Sequence, residues 1–581
     1  MKNFHAAHKT VRDLLDSNFF YKIPKYQRPY AWSKDNAQEL WDDLMSGNDL
    51  FFGSFVFNVE NKDSKGFVEI VDGQQRITTL NILLASIRNK LKEIDENDQA
   101  LKIQQKISFV SDLDNQDRPR LESNEVIRIL FEESIQKYDW NGIFPRLNSR
   151  QDKVGRQVKE VFEFFRDRLG EFFDEENLVS NNDVVGGVRK ILKSIYESKI
   201  IWIEVETDED AYTIFETMNA RGADLTAADL LKNYIFSKLH ESKEYMDEIS
   251  SEWKLIENNV SNVPKLNISK FIRYYWIARH KFVTEKNLYR EIKQSRIEPK
   301  DLLTELQSSS EWFSLLGNGS HEDWEERLTD TKLKCNEIYN SLLALRLFGT
   351  TQCFVLFLCL LSNLDRIKFN FSYIFKDIEN FHFLYSAISK QPGNKVEKLY
   401  ANSAKCINEI LLNEKEEKNI SEKIQSELSR LKSLLVLPAF ETFEEGFMEL
   451  SYEDKPLINY IFDRFNKKLD HEYATKTKIF MNKDYNIDHI LPKNPVNWGL
   501  KNEETEDYVD KLGNLIIIDR RINGWMQDDV FKEKIEKLKA SSLPLIKDYV
   551  KKYGKFEWNK DKIKDRQKEM AEIAFTQVWK E

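Results

Sequence analysis

"EIVDGQQRITTLN", residues 69–81, changes character halfway along. The apolar β-type run Phe67-Val68-Glu69-Ile70-Val71 breaks at Asp72-Gly73, and Ile77-Thr78-Thr79-Leu80-Asn81-Ile82-Leu83-Leu84 then reads as a helix. A strand, a tight turn and a helix start leave several backbone N–H groups without partners, with the positive end of the helix dipole behind them. Such a spot attracts anions, phosphate above all. Gly73 lets a phosphate approach the backbone, Arg76 can pair with its oxygens, and Gln74 and Gln75 offer uncharged amides. Asp72 is a candidate for a metal, a sugar hydroxyl or the turn's own N–H groups. The alternative is an ordinary strand-to-helix turn with a capping Asp and a solvated Arg.

Outward from this stretch, strands are expected at Phe51–Val59 and at Lys199–Glu206, with mostly helical, charged sequence from 85 to 195. Thr226-Ala-Ala-Asp229 has capping-box spacing and opens a helix. From about 240 to 440, Leu, Phe, Lys and Glu recur at helical spacing. The chain has 581 residues, 41% hydrophobic and 32% charged, enough for at least two cores, since single cores stop growing at roughly 250–300 residues. A net charge of −10 argues against a protein that coats nucleic acid through global charge, so any such contact is local. Cys335, Cys353, Cys359 and Cys406 form no CxxC pair and lack nearby His at zinc-finger spacing, so reduced core cysteines are expected. The longest apolar run, Cys353–Leu361, is far shorter than the roughly 20 residues that span a bilayer, and MKNFHAAHKT has no hydrophobic signal region. A cytoplasmic protein with no membrane partner is expected.

Two further segments accompany the quoted one. Ile23-Pro-Lys-Tyr-Gln-Arg-Pro-Tyr-Ala-Trp32 is a proline-stiffened loop carrying Gln27, Arg28 and three rings that could stack on a base. Ile214-Phe-Glu-Thr-Met-Asn-Ala-Arg-Gly-Ala-Asp-Leu-Thr226 places Asn219, Arg221 and Gly222 at a helix-to-helix turn. Singly, each has a structural reading: a packed aromatic loop and a helix C-cap. Together, in this order, the three segments resemble the N-terminal domain of GmrSD-type restriction endonucleases, of ParB/sulfiredoxin-like fold. The resemblance implies a nucleoside triphosphate, GTP or ATP, surrounded by Gln27, Arg28, Asp72, Gly73, Gln74, Gln75, Arg76, Asn219 and Arg221. No G-x-x-x-x-G-K-[ST] stretch occurs, which excludes a P-loop mechanism.

Near the other end, Tyr485-Asn-Ile-Asp-His-Ile-Leu-Pro492 is a strand stopped by Pro492, Lys511-Leu-Gly-Asn-Leu-Ile-Ile-Ile-Asp519 is a second strand, and Val530–Leu538 has helical spacing. Strand, loop, strand, helix is the plan of a ββα metal finger. Phosphodiester hydrolysis needs a base, a cation and something that holds the base. His489 suits the base, because neutral imidazole takes a proton near pH 7. Asp488 and Asn523 offer oxygen ligands suited to Mg²⁺ or Mn²⁺. Asn523-Gly524 also reads as a turn dipeptide, Asn514 as a turn residue, and Asp519 and Asp528 are rival ligands. The pattern resembles the HNH nuclease domain of the same family, with Asn at the last metal position; by that resemblance Asn514 pins the active-site loop or the His. From Lys532 to Glu581, fourteen Lys or Arg against nine Asp or Glu leave +5, with Trp558 and Trp579 among them: either a phosphate-contacting surface or a solvated helical tail.

The expected fold is α+β, multidomain and predominantly helical: a nucleotide-binding domain with a helical insertion over 1–240, a helical middle over 241–440 and an HNH domain over 441–581. The expected function is a nucleotide-regulated, metal-dependent endonuclease acting on double-stranded, modified phage DNA, with homo-oligomerisation left open. The rival is a nucleotide-binding regulatory or DNA-binding module whose HNH-like domain is silent.

Overall fold

The computed structural model describes residues 4–24, 27–46, 50–59, 67–110, 117–145, 151–206, 226–239, 243–470, 482, 484–526 and 528–580. The chain forms two compact units, one of Met1–Leu255 with Lys293–Thr304 and one of Ile256–Ile292 with Glu305–Glu581. It is predominantly helical with a small amount of sheet.

The first unit is built on six strands, β1 (Phe4–Thr10), β2 (Phe20–Lys22), β3 (Phe51–Asn58), β4 (Phe67–Asp72), β5 (Leu121–Glu122) and β6 (Lys199–Val205), in the order β1-β6-β3-β4-β2-β5. Pairing is mixed: β1 runs antiparallel to β6 and β3 to β4, while β3–β6, β2–β4 and β2–β5 are parallel. Successive side chains on a strand face opposite ways. Phe55 and Phe57 accordingly enter the main core, whereas Val56 joins Val71, Ile203 and Val205 in a small cluster that packs against Leu230. Helices α1 (Lys34–Met45), α2 (Gln74–Glu93) and α3 (Gln151–Glu175) fill the main-core side. α2 is enclosed almost all round: fifteen of its residues are buried, the polar Gln74, Gln75, Thr78, Thr79, Asn81, Ser86 and Arg88 among them. The strands expected at 51–59 and 199–206 are present, and β1 and β2 add two that lacked a strand pattern. Helix α4 (Ala227–Lys238) opens with the Thr226/Asp229 capping box.

Among the described residues, helices are the only regular elements from 243 to 449, and the apolar run Phe354–Leu361 lies wholly inside the second unit as a buried helix. Helix α5 (Tyr373–His382) packs near α6 (Lys455–Leu469) around Glu379. β7 (Tyr485–His489) and β8 (Leu515–Asp519) pair antiparallel, with Leu515 opposite His489 and Ile516 opposite Asp488. Among the helices that follow are α7 (Arg520–Met526), α8 (Phe531–Leu538) and α9 (Lys560–Ile573). The second strand is shorter than its sequence suggests, because Leu512–Asn514 form a 3₁₀ turn. Asn523-Gly524 stands inside α7 and not in a turn. All four cysteines are free; Cys353 and Cys359 are buried, Cys335 and Cys406 half-buried. Among the described residues, no helix is long and apolar enough to cross a membrane.

Candidate active site

At the end of β4 the backbone turns through Gly73 at φ 98°, the left-handed region that favours glycine. A Cβ there would stand 2.4 Å from the ring of Phe55, so the turn can lie on that ring only without a side chain. α2 begins at Gln74, and Ile77 N–H reaches back to the Gly73 carbonyl at 3.0 Å, leaving the first amides without intrahelical partners. Arg76 folds over the same ring, 5.3 Å from its centroid, and donates from Nη2 to Asp72 Oδ2 at 3.1 Å. Ser54 Oγ donates to that same oxygen at 3.3 Å. Gly53 makes room for the guanidinium, since a Cβ there would be 1.8 Å from Arg76 Nη1.

The proline-stiffened loop is stitched onto this turn by its glutamines. Gln27 Nε2 donates to the Val71 carbonyl at 2.9 Å. Gln75 accepts from Ala31 N–H at 2.8 Å through Oε1 and donates to the Pro29 carbonyl at 3.3 Å. Tyr30 and Thr79 share a buried hydroxyl bond. The fold thus brings Gln27, Arg28 and the Asp72–Arg76 turn together, and the amides of Gln27 and Gln75 are engaged in holding that assembly. Arg28, half-exposed, has no partner among the described residues. Asn219 and Arg221 lie outside the described residues.

In the second unit, His489 ends β7 with its side chain 9% exposed, its ring 4.7 Å from that of Tyr452. Its Nε2 lies 2.6 Å from Asp510 Oδ1, and Lys493 Nζ donates to Asp510 Oδ2 at 3.0 Å. Burial raises the Asp510 carboxyl, but its bonds to Lys493 and His489 outweigh that and hold it below the usual carboxylate range. Asp510 is therefore ionised at neutral pH, so Nε2 must carry the proton between them. Nδ1 is left as the basic nitrogen. Burial pushes the His489 pKa down, partly offset by Asp510, which keeps the ring neutral at pH 7.

Asn514 is fully buried and uses its whole amide. Oδ1 accepts from Leu491 N–H at 2.9 Å and Trp558 Nε1 at 3.0 Å, and Nδ2 donates to the carbonyls of Leu491 and Val509 at 2.9 and 2.7 Å. The segment after His489 is thereby clamped. Gly513 beside it touches α9, where a Cβ would be 2.1 Å from the Ile563 carbonyl. Buried Arg566 donates to the carbonyls of Gly513 and Leu515, and Gln567 accepts from Gly513 N–H.

Asp488, next to His489, has different surroundings. Burial raises its pKa, the ammonium of Lys534 opposes this, and Asp528 adds to it. Lys534 is 1% exposed, donates to the His489 carbonyl at 2.9 Å, and is pushed down by burial against the pull of Asp488, Asp528 and Asp529. Asn523 sits half-exposed on α7. Among the described residues, no three His, Cys, Asp or Glu side chains converge as a metal cluster. One carboxylate and one amide oxygen with waters is nonetheless the kind of donor set that Mg²⁺ accepts, and a desolvated carboxylate gains from a cation.

Asp510, Lys493, Tyr452 and Lys534 were not legible as site residues. Asp510 precedes Lys-Leu-Gly-Asn by one position and reaches His489 only through the fold. Trp558 and Trp579, expected beside surface lysines, are core residues at 6% and 2% exposure, stacked on Phe531 and Phe383 respectively.

A sheet-bearing unit with a built glycine turn, joined in one chain to a unit with a buried His–Asp pair beside a clamped strand end, sets the class: an α+β protein of at least two parts. The model of the GmrSD restriction endonuclease N-terminal domain matches residues 11–236, and that of the GmrSD restriction endonuclease C-terminal domain matches residues 437–573. The chain belongs to the GmrSD family of restriction endonucleases. It is thus a nuclease whose substrate is DNA. No curated protein matches the chain.

Proposed function

We propose that the C-terminal part cuts DNA as an HNH-type ββα-metal nuclease, and that a ParB/sulfiredoxin-like N-terminal domain controls it through a bound nucleoside triphosphate. The observation that carries the reading is the His489–Asp510 pair. With Nε2–H held by Asp510, Nδ1 takes a proton from water as its oxygen attacks phosphorus and the bond to the leaving oxygen breaks. Asp510 keeps the ring oriented and stabilises the imidazolium that forms. Lys493 steadies Asp510, and Asn514 fixes the backbone beyond the base. Asp488 and Asn523 would hold Mg²⁺ or Mn²⁺. When bound, that ion supplies Lewis-acid stabilisation of the charge developing on phosphate and leaving oxygen.

At the other site, the free amides at the start of α2, Arg28 and Arg76 would contact the phosphates of GTP or ATP, with Gly73 permitting the approach and Gln74 beside it. Gln27 and Gln75 would act by shaping the loop, Asp72 by positioning Arg76, and Asn219 and Arg221 complete the set by resemblance. Control of cutting requires the nucleotide to bind one arrangement of the chain more tightly than another. The target is modified phage DNA, cut in the cytoplasm.

The test is cleavage of modified phage DNA beside unmodified plasmid, with Mg²⁺ or Mn²⁺, with and without GTP or ATP, by wild type, His489→Ala, Arg28→Ala and Arg76→Ala. Metal-dependent cutting lost in His489→Ala is expected, with the arginine variants losing only the nucleotide response. Cutting that survives His489→Ala would overturn the proposed base, and triphosphate binding without any cutting would favour a regulatory module.

A further inference from the structure

All twelve tryptophans of the chain lie among the described residues, and of these Trp525 is the only one exposed, at 51%. It lies on α7, two residues beyond Asn523, and the guanidinium of Arg521, one turn earlier, stands 5.2 Å from its ring centroid. Arg520 and Arg521 are both exposed and form no ion pair among the described residues. The element is held firmly. Arg520 N–H donates to the Asp484 carbonyl at 3.1 Å, and Lys537, itself paired with Asp529, donates to the Trp525 carbonyl. The loop of Val496, 68% exposed, is tied alongside by Trp498 Nε1 donating to the Asp529 carbonyl at 3.0 Å.

An exposed aromatic costs solubility and adds nothing to a core, and an arginine stacked on it leaves N–H groups free for phosphate. We propose that Trp525 and Arg521 form a DNA-contacting platform beside the cutting centre, the indole packing on a base or sugar and Arg520 and Arg521 pairing with backbone phosphates. This deepens the reading of 485–538 as the cutting site. DNA is favoured over an apolar protein partner because Arg521, stacked on the ring, and adjacent Arg520 form no ion pair among the described residues; of the nearby carboxylates without an ion pair, Asp519 Oδ1 accepts from Arg521 N–H at 2.8 Å, Asp528 lies on the side toward Asp488, and Asp484 is exposed.

The test is binding of a fluorescein-labelled DNA duplex by the full chain, read by anisotropy at several salt concentrations, for wild type, Trp525→Ala, Trp525→Phe and Arg521→Gln. Trp525→Ala is expected to weaken binding roughly 5- to 100-fold with an unchanged salt slope, from the usual worth of one aromatic–base contact. Trp525→Phe should recover most of that, and Arg521→Gln should reduce the salt slope by about one unit. Wild-type affinity in Trp525→Ala overturns the proposal, as does a wild-type chain that binds no duplex. It is also overturned if Trp525→Ala changes only the sedimentation coefficient, which would make the patch a contact between two copies of this chain. Because binding is read without cleavage, failure of the nuclease reading, seen as no DNA cut, stays distinguishable from failure of the platform.

Discussion

Replacing Asp510 by Asn removes the charge that sets the proton on His489 while keeping the shape of the side chain. The bond it breaks is short, 2.6 Å, and charge-assisted. Such bonds contribute about 1.5–3 kcal/mol. Asp510 is 38% exposed, so water screens part of this, and the lower half of that range applies. About 1.5–2 kcal/mol of lost orientation corresponds to roughly a 10- to 30-fold fall in kcat at 1.4 kcal/mol per decade. KM should barely move, because Asp510 is placed to act through the imidazole. Loss of the carboxylate also removes the interaction that raises the His489 pKa, so the acid limb of the pH–rate profile should move to lower pH. The assay is steady-state DNA cleavage across pH, with thermal unfolding of both proteins as a control. An Asp510→Asn enzyme within twofold of wild type, or one impaired only in KM, would refute the orienting role.

Asn514→Ala strands four groups at a fully buried position, and stability should drop by about 3–5 kcal/mol, measured by urea unfolding of the full chain. Gly73→Ala combines a left-handed φ with a contact of 2.4 Å to Phe55, so a loss of roughly 2–4 kcal/mol in the first unit is expected, together with weaker nucleotide binding; unchanged melting would contradict it. Glu379 is buried between Ser341, Lys376 and Tyr460, and burial pushes its pKa up to about 7 from 4.5. A raised carboxyl costs nothing below pH 4.5, where both states are protonated. Stability should then fall with pH through the window from 4.5 to about 7, at no more than roughly 1.4 kcal/mol per unit. Glu379→Gln should flatten that slope in unfolding measured across pH.

Local pattern carried much of this protein into view. Val-Asp-Gly-Gln-Gln-Arg announces a strand, a left-handed turn and a helix because each depends on residues next to one another: the apolar run, the missing Cβ, the 3.6-residue period. Thr226 caps its helix with Asp229 for the same reason. His489, the proposed base, and Asn514, which clamps the segment after it, were readable from short motifs whose spacing a two-stranded pairing preserves. What tertiary structure alone decided is how those polar groups are used. Gln27 and Gln75, candidates for a ligand by chemistry, have their amides taken by carbonyls and an N–H more than forty residues away in the chain. Asp510 became the partner of His489 only when the 3₁₀ turn at Leu512 brought it back beside the strand end. Trp558 and Trp579 went inward while Trp525 stayed out, although all three have basic neighbours in the sequence. Backbone geometry is set by neighbours and is legible along the chain, whereas the partner of a side chain is set by whichever distant segment fills the space in front of it, and that is determined only when the core closes.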